Sequence, residues 1–170
     1  MNFTKRFALF LFATSLAFVM SGCYSFTGAS IPPNVNTFFV DHFPNRATLV
    51  NPTLSADFSE ELRSFISSRS SLKLGAEGEA DIEISGEITT YTLTPMAAQA
   101  DAQAALQRLT VAIRINLANN PNPKDSFTQT FSIHRDFDSS LDFSTIEDEL
   151  VSEIMKEMVE NIFMRAFGNW

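Results

Sequence analysis

Apolar and polar residues alternate along three long segments of the chain, and this two-residue period is typical of half-buried strands. The segment 80–93 sets isoleucines against acidic residues, 108–117 alternates Leu, Val and Ile with polar residues, and 127–137 has aromatic and aliphatic residues on one side. The aromatic and β-branched segment 35–43, which stops at Pro44, predicts a further strand. We therefore expect four strands.

The alternation in 80–93 shifts by one residue near its middle. Ile82, Ile84 and Ile88 share one parity, whereas Tyr91 and Leu93 fall on the other. A single extra residue near Thr89–Thr90 returns the later side chains to the buried face. The pattern therefore predicts a β-bulge.

Two other segments repeat their apolar residues at helical spacing. The first, 54–66, follows Asn51-Pro52-Thr53, which are typical cap and first-turn residues. The second, 146–167, has a broad apolar stripe with charged residues opposite. Ser144 and Glu147 stand at the spacing of a capping box, so we expect them to begin this helix.

The element order strand, helix, strand, strand, strand, helix predicts an α+β fold. We expect a single domain over 34–170, a two-layer sandwich with two helices packed on one face of a four-stranded mixed sheet. The other sheet face would then be polar. Residues 95–105, rich in Ala and Gln, are expected to form a long connection or a loosely held hairpin tip, whose role the sequence leaves open.

The N-terminus is typical of a secretory leader. Lys5 and Arg6 precede an apolar run at 7–20, which is shorter than the roughly 20 residues that span a bilayer as a helix. Ser21-Gly22-Cys23 follows and resembles the bacterial lipobox. The interpretation is a signal peptide at 1–22 and lipidation of Cys23 by diacylglycerol and an N-acyl chain such as palmitate. The alternative is a plain signal peptide with a chance cysteine.

After cleavage, 23–33 would be an extended tether, since Gly28, Pro32 and Pro33 interrupt Ser and Thr.

The chain has 12 Lys and Arg against 20 Asp and Glu, a net charge of −8, which does not suit nucleic acid. Its single cysteine leaves no disulfide or thiolate metal site in the domain. We expect no metal and no cofactor apart from the lipid on Cys23.

No catalytic constellation stands out. His42 and His134 are the two histidines, and neither is near an acidic pair at metal-ligand spacing. Both are interpreted as ordinary strand residues, although a hydrolase would have to use one of them as its base. There is no Gly-rich phosphate loop and no nucleophile-elbow pattern. The sequence therefore predicts a protein that is not an enzyme.

Arg108 and Arg114 are the candidate contact residues. They share the outward face of one predicted strand, about 20 Å apart at 3.4 Å per residue. They could meet phosphates or a partner's carboxylates. The alternative is that they pair with Glu83 and Glu87 across the sheet.

Several short runs, taken in their order, resemble the LptE family of lipopolysaccharide-assembly lipoproteins. The runs are 23–33, 52–55, 86–88 with 94–100, 108–110, and 146–150 through 166–170, where the chain ends in Asn-Trp. The resemblance implies an outer-membrane lipoprotein on the periplasmic side. It also implies a one-to-one partner that plugs and helps assemble the LptD β-barrel and assists lipopolysaccharide delivery.

This resemblance offers no family motif for Arg108 and Arg114. A second hypothesis remains open, in which the chain is an auxiliary lipoprotein of an envelope lipid transporter. Such a protein would hold lipid in an apolar pocket between helix and sheet.

Overall fold

The computed structural model describes residues 31–49, 51–96 and 105–168. The predicted signal peptide at 1–22, the lipidated Cys23 and most of the 23–33 tether lie outside these residues, as does most of the 95–105 connection. The described part forms an α+β fold with two helices and one mixed sheet. The predicted fold class is confirmed.

The elements follow the predicted order with one addition. They are β1 (Thr37–Val40), α1 (Leu54–Arg69), β2 (Lys73–Leu74), β3 (Ile82–Met96), β4 (Leu106–Asn119), a short 3-10 helix (Pro123–Asp125), β5 (Phe127–Asp138) and α2 (Phe143–Phe167). The strands lie side by side in the order β2-β1-β3-β4-β5. β1 is parallel to β2 and β3, whereas β3, β4 and β5 are successively antiparallel.

The sheet has five strands, so the expectation of four was wrong. The additional strand, β2, pairs only Lys73 and Leu74 with β1. Two residues are too few to establish a period, and both are exposed. The first strand is also shorter than the predicted 35–43, because after Val40 the chain leaves the regular strand and makes a bridge from Asn45 to Ile88.

The predicted bulge in β3 is confirmed. Ile88 lies opposite Ile113, but Thr90 lies opposite Ala112, so Thr89 is the extra residue. Its hydroxyl donates to the Ala112 carbonyl at 3.1 Å. Tyr91 is consequently buried, on the helix side of the sheet.

The core lies between the helices and the inner sheet face. α1 buries Leu54, Phe58, Leu62 and Ile66, at the four-residue spacing that keeps side chains on one face. α2 buries a longer stripe, composed of Val151, Ile154, Met158, Val159, Ile162, Phe163, Ala166 and Phe167. Both stripes pack with the inward isoleucines and leucines of β3 and β4 in one cluster.

The start of α1 uses one of the expected cap residues, whereas the start of α2 does not. At α1 the Asn51 side chain accepts from the Leu54 amide at 3.1 Å, while Thr53 makes no side-chain cap. At α2 the predicted capping box is wrong. Asp142 is the cap and accepts from the Ser144 amide at 3.0 Å, which leaves Glu147 free for another partner.

Candidate functional site

The sheet face opposite the helices is uncovered by any element of the described chain. This outer face carries the even-numbered residues of β4 and β5 and the matching residues of β3, because alternate side chains point to opposite faces. Many of them are small and polar: Ser85, Thr90, Thr92, Thr94, Thr110, Asn116, Thr128, Thr130 and Ser132. A face of this kind is compatible with water or with a polar partner surface.

Arg108 lies on the outer face and pairs with Asp136. Its Nε and Nη2 donate to the two carboxylate oxygens at 2.6 and 2.8 Å, a bidentate arrangement. The guanidinium lowers the pKa of Asp136. The pairing expected from the sequence had named acids on the neighbouring strand β3, but the β4–β5 register places Asp136 directly opposite Arg108.

Arg114 pairs with Glu87, its direct neighbour in the β3–β4 register. The sequence-based alternative, pairing with Glu83 and Glu87 across the sheet, is therefore right for Arg114. Arg108 also forms an ion pair, but its partner is Asp136 of β5. Both guanidiniums keep access to solvent, with the Arg114 side chain 54% exposed and that of Arg108 31% exposed. Exposed ion pairs add little stability, so these arginines remain available to an incoming partner.

Two open depressions lie at the β1 side of the outer face. The larger, about 560 Å³, is lined by Phe39, Asp41, Glu77, Glu83 and Asn116 among others. The smaller, about 340 Å³, adjoins it and reaches Glu87 and Arg114. Acidic, amide and hydroxyl side chains stand in these linings beside apolar ones such as Phe39, Leu117 and Phe127, so the depressions offer both polar and apolar contacts.

Over the described residues, buried side chains fill the interface between helices and sheet. Phe58, Ile84, Leu109 and Met158 are each 0% exposed there. Native cores of this kind are close-packed. The arrangement argues against the second hypothesis, which placed lipid between helix and sheet.

The structure brings His42 close to Ser55, which the sequence did not single out. Ser55 Oγ lies 3.0 Å from His42 Nε2. However, the same hydroxyl donates to the Phe43 carbonyl, and one hydroxyl has one proton to donate. The pair therefore lacks the arrangement of a serine activated by a histidine base. His134 lies exposed on the outer face, opposite Thr110.

Within residues 31–49, 51–96 and 105–168, no group of three or more His, Cys, Asp or Glu side chains could hold a metal ion. None of the helices that the structure describes combines the length and apolar character needed to cross a membrane.

Fold and site together define an α+β domain with a polar sheet face that no described element covers. A model of the LptE family, described as lipopolysaccharide-assembly, matches residues 35–166. The chain belongs to the LptE family. This is a non-enzymatic family of outer-membrane lipoproteins, and the resemblance found from the sequence is confirmed.

Solved structures share the fold. A minor lipoprotein from Acinetobacter baumannii aligns with a TM-score of 0.50 at 12% identity, over 76% of this chain and 91% of its own. Lipoprotein B from Nitrosomonas europaea gives 0.50 at 16% identity, over 76% and 80%. A putative neuraminyllactose-binding hemagglutinin homologue from Helicobacter pylori gives 0.54 at 11%, over 82% and 87%. No curated protein matches significantly.

Proposed function

We propose that this LptE-family protein plugs the lumen of an LptD-type β-barrel, helps that barrel assemble, and assists lipopolysaccharide insertion into the outer leaflet. The observation that carries the proposal is the uncovered outer face with its hydroxyl, amide and ion-paired side chains. The lumen of an outer-membrane barrel is polar, so a plug needs a polar surface toward the barrel wall. In this proposal Arg108 and Arg114 contact the barrel or the lipopolysaccharide phosphates.

The position of the N-terminal end of the domain supports this arrangement. Asn36 and Thr37, at the N-terminal end of the domain, donate their amides to Asp81, beside the start of β3. The β3–β4 hairpin runs from there to Met96, 14 residues away, or about 45 Å at the usual rise. A lipid on Cys23 would therefore hold the β1 end near the periplasmic leaflet and leave the hairpin end free to reach into a barrel.

The test is a charge reversal of the outer face, Arg108→Glu with Arg114→Glu. Each new carboxylate would lie beside an existing one, Asp136 or Glu87, so the face would repel acidic groups on a partner. A matched control, Arg69→Glu with Lys156→Glu, makes the same change of charge on the helix layer. Each protein is used for affinity capture from detergent-solubilised envelope, and its unfolding temperature is measured.

We expect the outer-face variant to fold and to recover much less barrel than the control. If both variants recover the barrel at the wild-type yield, the outer face is not the contact. Lipid extracted from the purified protein and identified by mass spectrometry would instead favour the lipid-carrier hypothesis. That hypothesis would also require the packed helix–sheet interface to open.

A further inference from the structure

The last strand of the sheet, β5, is a long edge strand. It has 12 residues, against a usual strand length of about 5–6, and pairs without a register shift with β4 alone. Thr128, Thr130, Ser132, His134 and Asp136 are all exposed. An edge of this length presents a row of backbone groups to which another strand can hydrogen-bond.

The ladder geometry identifies the unpaired backbone groups. The Ser139 amide donates to the Ala105 carbonyl, and Leu106 lies opposite Asp138, so the odd-numbered residues of β5 exchange hydrogen bonds with β4. The even-numbered residues therefore direct their N–H and C=O groups away from the sheet. Arg135 donates to one of these carbonyls, that of His134, at 3.0 Å. Within the described chain, the groups of Thr128, Thr130 and Ser132 have no partner at this edge.

The opposite edge of the sheet is protected in the usual ways. β2 has only two residues, one of which is Lys73, and a glycine follows it directly. β5, by contrast, contains no lysine, no proline and no bulge. Because β5 lacks the features that protect the β2 edge, it is the edge to which a further strand can pair.

Charge beside the β5 edge defines the chemistry of its partner. Arg135 contacts Glu153 and Glu157 of α2 at 3.0 and 2.7 Å, so this stripe of the helix lies along the edge. Glu149 and Glu160 continue the same stripe, four residues before and three after that pair. Lys156 lies in the same stripe, three residues after Glu153, and Arg165 lies over the Phe127 ring at 4.2 Å, where β5 begins. Four glutamates against Arg135 and Lys156 leave the edge acidic on its helix side beyond its Phe127 end.

We propose that the β5 edge binds an extended, basic segment of a partner protein by strand addition. Backbone hydrogen bonds to the 128–132 stretch would hold the segment, and its Lys or Arg side chains would meet the glutamate stripe. A second copy of this chain fits poorly, because antiparallel β5–β5 pairing would place two such stripes against each other. The inference concerns the strand edge and does not depend on the barrel assignment.

The experiment uses the full-length, detergent-solubilised protein and a synthetic peptide of ten residues in which lysine alternates with valine. A counterpart with glutamate in place of lysine tests the charge requirement. Thr130→Pro removes an outward N–H without touching the β4 ladder, and Thr130→Ala is its matched control. Binding is measured by fluorescence anisotropy, and exchange of the Thr128, Thr130 and Ser132 amides by hydrogen–deuterium NMR.

We expect the lysine peptide to protect these amides from exchange, Thr130→Pro to weaken its binding about tenfold, and Thr130→Ala to change it little. The glutamate peptide should not bind. Equal binding of both peptides, or equal binding by the proline and alanine variants, would overturn the proposal. So would a concentration-dependent dimer that protects the same amides without any peptide. Because no barrel is present, the result is separate from the capture experiment.

Discussion

The phenol of Tyr91 donates a hydrogen bond to the Glu147 carboxylate at 2.5 Å, and this bond joins the strand just beyond the bulge to the first turns of α2. The Asn51 side chain donates to the same carboxylate oxygen at 2.8 Å. Burial, reinforced by the carboxylate, raises the pKa of Tyr91, so the phenol stays protonated and remains a donor. One glutamate thus ties together β3, α2 and the loop before α1.

Tyr91→Phe should lower the free energy of unfolding by about 1–2 kcal/mol, because Glu147 loses its shortest partner in a part-buried site. Urea unfolding of the wild type, Tyr91→Phe, Glu147→Ala and the double variant measures the coupling. We expect the two single losses to exceed their combined effect in the double variant by about 1 kcal/mol. Strictly additive losses would mean that the hydrogen bond contributes nothing to stability.

The elements with a sustained period were predictable from the sequence. The alternation in β3 and β4 and the wide apolar stripe of α2 specify both their type and their buried face, and the parity slip before Tyr91 located the bulge. Periodicity carries no information about β2, where the pairing with β1 depends on how α1 returns the chain. Periodicity also does not show which of the polar residues before a helix caps it, and Asp142 took the role expected of Ser144.

The partner of Arg108 was unpredictable for a related reason. Its strand parity shows that it points outward, but not which residue of β5 lies opposite. The turn between β4 and β5 sets that register, through bonds such as Ser126 Oγ to the Asn119 amide at 2.9 Å. The free β5 edge could not be predicted from the sequence either, because strand order in a sheet follows from tertiary packing.

Gly86 should not tolerate a side chain. A Cβ at this position would lie 2.0 Å from the Arg114 carbonyl oxygen and 2.8 Å from the Phe43 ring. Gly86→Ala must therefore displace strand backbone, and we expect it to cost about 3 kcal/mol or more. Gly78→Ala is the control. Its φ of 76° is strained for alanine but no atom lies within 4 Å, so about 1 kcal/mol is expected.

Chemical denaturation of the two glycine variants measures the difference, and the order of their stabilities is the decisive result. A Gly86→Ala protein as stable as Gly78→Ala would show that β3 and β4 do not approach as closely as described.

Cys23→Ser should abolish lipidation, because the chain has no other thiol to accept diacylglycerol. We expect an unlipidated precursor that keeps residues 1–22, seen as a mass increase over the unacylated mature chain and as loss of metabolic palmitate labelling. Recovery of a processed, palmitate-labelled variant would contradict the assignment of Cys23.

Asp81 links the beginnings of β1 and β3. Its carboxylate accepts from the Asn36 amide at 2.7 Å, the Thr37 amide at 3.0 Å and the Thr37 hydroxyl at 3.1 Å, and the Asp81 amide donates back to that hydroxyl at 2.9 Å. The Asn36 amide bond is the main cause that lowers the pKa of Asp81 below 3.8, with burial opposing it and the Thr37 bonds adding to the decrease. This cluster should make stability depend on pH.

A group with a lowered folded-state pKa stabilises the fold above its unfolded pKa, and that contribution is lost as the pH falls through the folded value. Asp81→Asn should therefore be less stable than the wild type at pH 6, by about 1 kcal/mol after allowing for partial exposure. The difference should shrink from about pH 4 downward, as protonation neutralises the wild-type carboxyl. Urea unfolding at pH 6, 4 and 2.5, with Glu79→Gln as a control for loss of one nearby charge, measures it. A stability gap between wild type and Asp81→Asn that stays constant from pH 6 to 2.5 would mean that ionised Asp81 does not hold β1 against β3.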